Sequence, residues 1–193
     1  IRDSSISDAE LSESGNTWTL QIGGGAALSD GTYSIVATAT DTAGNAIADS
    51  TSGEVVVDTT APTLSTVSID SHNAETNAAQ ETATNGDTVT ISITANEDIA
   101  QPTCTFTISG SAASDGSVTY TNAGDSDAAT WTCAIDIADA DANAIVAYSI
   151  AFSDAAASNA GVAVTAPTDG STVTVDDTVP TPVSYTHLTL PTN

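Results

Sequence analysis

The chain has 193 residues with 25 acidic side chains against a single Arg2 and no lysine, a formal net charge of −24. Such a surface cannot build a phosphate-binding face, so nucleic acid and anionic membrane surfaces are poor partners for it. No apolar run reaches the length of a transmembrane helix, and two cysteines are too few for a disulfide scaffold and lack metal-binding CxxC spacing.

Low hydrophobicity with high charge can mean disorder. Here 40% of residues are apolar, and Val, Ile and Thr alternate with polar residues in short runs. That pattern predicts a globular all-β chain. The start at Ile1 and the absence of Met read as a fragment. Self-repulsion at this charge destabilises a compact state unless cations or salt offset it.

Residues 1–14 are acidic and polar and read as the end of a truncated domain. Asn16 to Ile22 places Trp18, Leu20 and Ile22 on one strand face. Asp30-Gly31 turns into a strand over Thr32 to Thr40, with Tyr33, Ile35, Ala37 and Ala39 sharing a face. DTAGN, Asp41 to Asn45, is a loop, and Gly53 to Asp58 is the next strand. A second unit opens at Pro62 with a strand over Leu64 to Ile69 and a long polar loop over Asp70 to Gly86. Asp87 to Ala95 turns Val89, Ile91 and Ile93 inward, and Asn96-Glu97-Asp98 follows as an acidic loop. Further strands are expected at Thr103–Ile108, Ser117–Thr121, Thr130–Ile137, Ala144–Phe152 and Ser171–Val175. About seven short strands with turn-rich loops and no amphipathic helix predict an antiparallel β-sandwich of immunoglobulin-like type.

EVVVDTTAPT, Glu54 to Thr63, recurs as TVTVDDTVPT, Thr172 to Thr181. Trp18 and Trp131, Tyr33 and Tyr148, and Asp58 and Asp176 lie 113, 115 and 118 residues apart. This is an internal repeat. It divides the chain into the C-terminal part of a truncated domain, 1–58, a complete domain, 59–181, and a tail, 182–193. The three or so strands of the first part cannot close a sandwich alone and leave an open edge. The tail VSYTHLTLPT, Val183 to Thr192, resembles the translated mosaic-end adapter of transposase-based sequencing libraries, and is set aside from fold reasoning.

DGTYSIVATATDTAGN (Asp30 to Asn45), followed by EVVVDTTAPT, resembles the bacterial Ig-like repeats of large surface proteins, including the extender domains of repetitive adhesins. GDTVTISITANEDI (Gly86 to Ile99) is similar to the second-strand segment of those repeats. The resemblance covers most of residues 29–181. It implies a secreted or cell-surface location, tandem copies whose partners are neighbouring repeats, and Ca²⁺ at domain junctions. The Cys104/Cys133 pair and the longer loop Asp154 to Asn159 depart from it.

In an Ig-like sandwich the hinge, the B–C loop and the F–G loop gather at one pole. Asp58, Glu97, Asp98, Asp154 and Asn159 are therefore expected together as a Ca²⁺ site, with Asp41 and Asn45 at the matching pole of the first unit. Clustered carboxylates repel unless a cation sits among them, and Ca²⁺ takes six to eight hard oxygen ligands. The plainer reading is solvated turn residues, because Asp and Asn favour turns through local hydrogen bonds. Extracellular modules bind Ca²⁺ at roughly 10⁻⁴–10⁻³ M. A hundredfold excess over that would add about 2.7 kcal/mol to folding.

Cys104 and Cys133 both lie on inward faces. In an extracellular setting a disulfide is favoured over buried free thiols. Trp18 and Trp131 are expected in cores. His72 stands in a polar loop and His187 in the tail, with no partner to make either a base or a metal ligand. Asp139 and Asp141 have glycosidase-like chemistry only on paper, since no cleft is implied. No catalytic constellation assembles, so no enzyme is expected. The absence of lysine also excludes Lys–Asn isopeptide cross-links. The expected role is a structural extender, for which a chain with one tryptic site is suited. The alternative is an extracellular binding or accessory module for a protein or glycan, which would need an exposed aromatic strip or a loop platform such as Asp70 to Gly86.

Overall fold

The computed structural model describes residues 9–15, 17–22, 28–50, 52–53, 55–72, 79–114, 116–122, 124, 127–156 and 159–183. Its described elements are strands throughout, in two compact units, Ile1–Thr60 and Ala61–Asn193. The adapter-like tail lies almost wholly outside the described residues.

The first unit holds β1 (Ala9–Ser14), β2 (Thr17–Ile22), β3 (Gly31–Tyr33), β4 (Val36–Thr40), β5 (Ala46–Ser50) and β6 (Val55–Val57). They form three antiparallel pairs, β1 with β2, β3 with β6, and β4 with β5. The single strand expected over 32–40 is broken at Ser34 and Ile35, because β3 pairs with β6 while β4 pairs with β5. The latter strand was hidden in the sequence by its Ala, Asp and Ser content. The expected core position of Trp18 is not realised: Trp18 is 54% exposed, and none of the described residues of this unit is buried. An alternating strand specifies which face is apolar, but only a second layer removes that face from water.

The second unit holds β7 (Leu64–His72), β8 (Ala79–Gln80), β9 (Thr82–Ala83), β10 (Thr88–Ala100), β11 (Thr103–Ile108), β12 (Ser111–Ala112), β13 (Thr119–Asn122), β14 (Asp127–Asp136), β15 (Val146–Ala151) and β16 (Thr174–Val175). One sheet has the order β13-β14-β10-β7-β8 and is antiparallel at every pairing. The other begins β12-β11-β15. Backbone bonds from Val146 N to Val173 O and from Val175 N to Ala144 O, both 2.9 Å, extend it to β16. There β9 joins in parallel.

The two inner faces meet in one core. Val67 and Ile69 of β7, Val89, Ile91 and Ile93 of β10, and Trp131, Cys133 and Ile135 of β14 come from one sheet. Phe106 and Ile108 of β11, Val146, Tyr148 and Ile150 of β15, and Val175 come from the other. Each fully buried aliphatic side chain contributes about 1.5–3 kcal/mol, which sets this unit apart from the first. Trp131 is 5% exposed and donates its indole N–H to Ala128 O at 3.0 Å, so burying it leaves no polar atom unsatisfied.

Two polar segments are strand rather than loop. Strand β7 continues through Asp70-Ser71-His72, with Ser71 fully buried on the inner face, and β8 and β9 also fall inside the expected long loop. Strand β10 continues through Asn96-Glu97-Asp98 to Ile99, which is fully buried. Its register against β14 slips between Thr94↔Thr130 and Ile99↔Ala128. The acidic triplet therefore forms a bulge, the device that lets a strand turn toward the facing sheet. Beyond it Ala100 N donates to Ser153 O at 3.1 Å.

Cys104 of β11 and Cys133 of β14 are joined as a disulfide between the two sheets, with Cα atoms 6.4 Å apart. Beside it Cys104 N donates to the Tyr120 hydroxyl at 3.3 Å, and Tyr120 pairs in register with Cys133. The same edge is thus tied twice.

Candidate functional site

The carboxylates and carboxamides singled out in the sequence fall at the ends of strands, where backbone groups lack ladder partners. Such groups must find side chains or water, and Asp and Asn supply the shortest reach. In the first unit Asp41 Oδ1 accepts from the N–H groups of Ala43 (2.9 Å) and Asn45 (2.8 Å). Asn45 Nδ2 donates to Asp41 Oδ2 at 2.8 Å, and Asp41 N donates to Asn45 O at 2.9 Å. The carboxylate closes the β4–β5 turn on itself.

The second unit repeats this clasp with one more residue in the loop. Asn159 Nδ2 donates to Asp154 Oδ2 at 2.7 Å, Asn159 N to Asp154 Oδ1 at 3.4 Å, and Asp154 N to Asn159 O at 3.0 Å. Asp154 is 3% exposed. The longer loop has kept the pairing chemistry of the shorter one.

This loop and the β10 bulge lie together, since Ala155 N donates to Asp98 O at 3.2 Å and Ile99 bridges to Asp154. Asp98, Asp154 and Asn159 therefore share one end of the second sandwich. Thr63 enters at the same end: its N–H donates to Asn96 Oδ1 at 2.6 Å, and Asn96 N donates back to Thr63 O at 3.0 Å. Asn96, a residue the sequence reading passed over, thus holds the entry to this unit. Only its amide's ability to bond from the bulge marks it out, and that needs the bulge to be known. Glu97 contacts Asn96 Nδ2 at 3.5 Å through Oε1. Asp58 belongs to the first unit and accepts from Thr60 N at 2.9 Å.

Among the described residues no three His, Cys, Asp or Glu side chains converge as metal ligands would. A carboxylate offers about four lone-pair sites, and Asp41 spends three of them on N–H donors. The Asn45 side chain and backbone hold its carboxyl below the usual carboxylate range. A cation at the first clasp would share the Asp41 carboxylate with the hydrogen bonds that shape the loop.

At the opposite end of the sandwich Asp141 is 8% exposed. It accepts from Ser114 N at 2.7 Å and from Ala138 N at 2.9 Å. Burial pushes its carboxyl up, but the bonds from Ala138 and Ser114 outweigh that and leave it below the usual value. A group depressed on folding contributes stability above its unfolded pKa and loses it as pH falls through the folded value. Acidification below about pH 4 is therefore expected to destabilise the second unit, with Asp141→Asn flattening that acid limb. Equilibrium denaturation from pH 5 to pH 2 measures it, and an acid limb identical in the two proteins would refute it.

His72, expected to lack a partner, has one: its Nδ1 lies 3.0 Å from Asp70 Oδ1 on the outer face of β7. The hydroxyl opposite, on Thr88, donates instead to Asp136 at 2.7 Å. The Asp70–His72 geometry is that of a surface contact.

Three further contacts involve residues outside the expected site. Tyr33 donates its hydroxyl to Ser29 O at 2.7 Å, locking the approach to β3. Asp30 accepts from Thr59 and Thr60, whose hydroxyls hold its carboxyl below the usual range. Asn143 bonds the segment that follows β16.

Residues 3–59 match the family model described as Bacterial Ig-like domain. No curated protein and no solved structure matches the chain.

Proposed function

With residues 3–59 matching the family model of the bacterial Ig-like domains, we propose that this chain is a stretch of the repeat array of a secreted or cell-surface bacterial protein. Its units serve as spacers that hold an adhesive region away from the cell, and they carry no catalysis. The observation that carries the reading is the duplicated clasp, Asp41 with Asn45 and Asp154 with Asn159. A binding loop diverges between copies to suit a ligand. Here the loop lengthens and its internal bonding stays the same, which favours a structural role for the loop.

The alternative, a glycan- or protein-binding module, needs flat rings or a free loop platform. Trp131 is buried, Tyr120 is half-buried, and Trp18 is a single exposed ring rather than a strip. The Asp70 to Gly86 platform is partly consumed by β7, β8 and β9. These observations favour the spacer.

Calcium enters as an external stabiliser of a chain with charge −24, since divalent cations offset self-repulsion. Small-angle scattering on chains carrying one, two and three copies of the second unit tests both parts of the reading, with millimolar Ca²⁺ and with chelator at fixed ionic strength. The expected result is a maximum dimension that grows by a constant increment per copy, larger in Ca²⁺ than in chelator. Growth as the square root of copy number would remove the spacer. Identical curves in Ca²⁺ and chelator would remove the cation.

A further inference from the structure

In each repeat an Asp follows the last strand, Asp58 after β6 and Asp176 after β16, and the chain then leaves through Thr59-Thr60 or Asp177-Thr178. In both copies the Asp turns back on this exit: Asp58 Oδ1 accepts from Thr60 N at 2.9 Å, and Asp176 Oδ1 accepts from Thr178 N at 3.0 Å. In both copies a second side chain, from the turn before the tyrosine strand, reaches the same exit. In the first it is Asp30, and 113 residues later it is Asn143.

The two corner residues bond in opposite senses. Asp30 only accepts: from Thr59 N at 3.0 Å, from the Thr59 hydroxyl at 2.6 Å and from the Thr60 hydroxyl at 2.8 Å. Asn143 accepts from Asp177 N at 3.1 Å, and through Nδ2 donates to Asp176 Oδ1 at 3.3 Å and to the Thr178 hydroxyl at 2.7 Å. A carboxylate at 143 would stand against the Asp176 carboxylate with no proton between them. In the first copy the position equivalent to Asp177 is a threonine, whose hydroxyl donates to the corner. Asp177 instead turns its Oδ1 to Thr84 and Asn85, both at 2.7 Å.

We propose that the corner residue before the tyrosine strand is a clamp on the connection leaving each repeat, and that its chemical type is matched to that connection, Asp with Asp-Thr-Thr and Asn with Asp-Asp-Thr. The clamp is built from hydrogen bonds within one repeat and needs no cation. It stands whether or not the array serves as a spacer, because it concerns only how the chain leaves each fold. A carboxylate accepting from hydroxyl and N–H donors makes a charge-assisted bond, whereas the amide can also donate, as Asn143 does to Asp176.

Amide hydrogen exchange by NMR on the full chain, in chelator, tests it, with the β10 and β14 amides as the internal measure of folding. Asp30→Ala is expected to speed exchange of the Thr59 amide about tenfold, and Asn143→Ala to do the same for Asp177, the loss of one bond. Asn143→Asp is expected to be worse than Asn143→Ala. Thr59→Asp is expected to loosen the first exit, and Asp30→Asn in the same chain to restore it. Unchanged Thr59 and Asp177 exchange in the alanine variants would overturn the clamp. Asn143→Asp exchange equal to the parent, or no rescue by Asp30→Asn, would overturn the matching. Loss of the parent's protection on chelation alone would assign the exit to a cation and sink the proposal.

Discussion

Replacing Cys104 and Cys133 by serine is expected to lower the unfolding free energy of the second unit by about 3–4 kcal/mol. The two cysteines lie 29 residues apart, and closing a loop of that length removes a corresponding amount of conformational freedom from the unfolded chain. Domains are stable by only about 5–15 kcal/mol in total, so this one bond is a large share. The effect should appear as a lower denaturation midpoint for the double-serine chain, and as the same shift on adding reductant to the parent. The native sandwich should persist, because Cys104 N keeps its bond to the Tyr120 hydroxyl and Ile91, Cys133 and Trp131 keep their register. A midpoint unmoved by reductant would mean that the unfolded state is already restrained over this loop.

Two tryptophans in similarly alternating strands, Trp18 and Trp131, are expected to respond very differently to the same substitution. Trp131→Ala empties a site in a packed core, where removal of a large aromatic costs about 3–5 kcal/mol. Trp18→Ala removes a side chain that is 54% exposed, and surface substitutions fall within about 0.5 kcal/mol. Fluorescence of the single-tryptophan chains separates them further. The chain retaining Trp131 should emit at short wavelength, and the chain retaining Trp18 near the wavelength of water-exposed indole. A large loss of stability from Trp18→Ala would show that the face of β2 is covered in solution.

The contrast bears on what the first unit is. Trp18, Leu20 and Ile22 are 54%, 48% and 39% exposed, and they alternate as cleanly as the buried run Trp131, Cys133 and Ile135. The difference lies in what stands opposite. In the second unit β11 and β15 of the other sheet supply the facing apolar rows, and in the first unit the described strands supply none. Edge strands with one apolar face invite pairing with other chains. The low count of basic and high count of acidic residues works against that by repulsion between copies.

The sequence by itself determined the fold class, because β-branched alternation has only one economical reading, and it carries Trp, Tyr and Asp at nearly constant spacing. It also placed Asp154 and Asn159 beside the Asn96-Glu97-Asp98 segment, since an Ig-like topology fixes which loops share an end. Tertiary structure decided the rest. Asp70 to His72 and Asn96 to Asp98 look like loops in one dimension. They are strand because Ser71 and Ile99 are buried at their inner positions, and burial depends on the opposite sheet. Asp41, Asp154 and Asp141 face N–H groups of their own loops, a local arrangement of donors that composition cannot express. The pairings of Asp30 with Thr59 and of Asn143 with Asp177 span 29 and 34 residues. They are invisible until the chain has folded back on itself, for only then does the type of one corner side chain answer to the charge of the segment it holds.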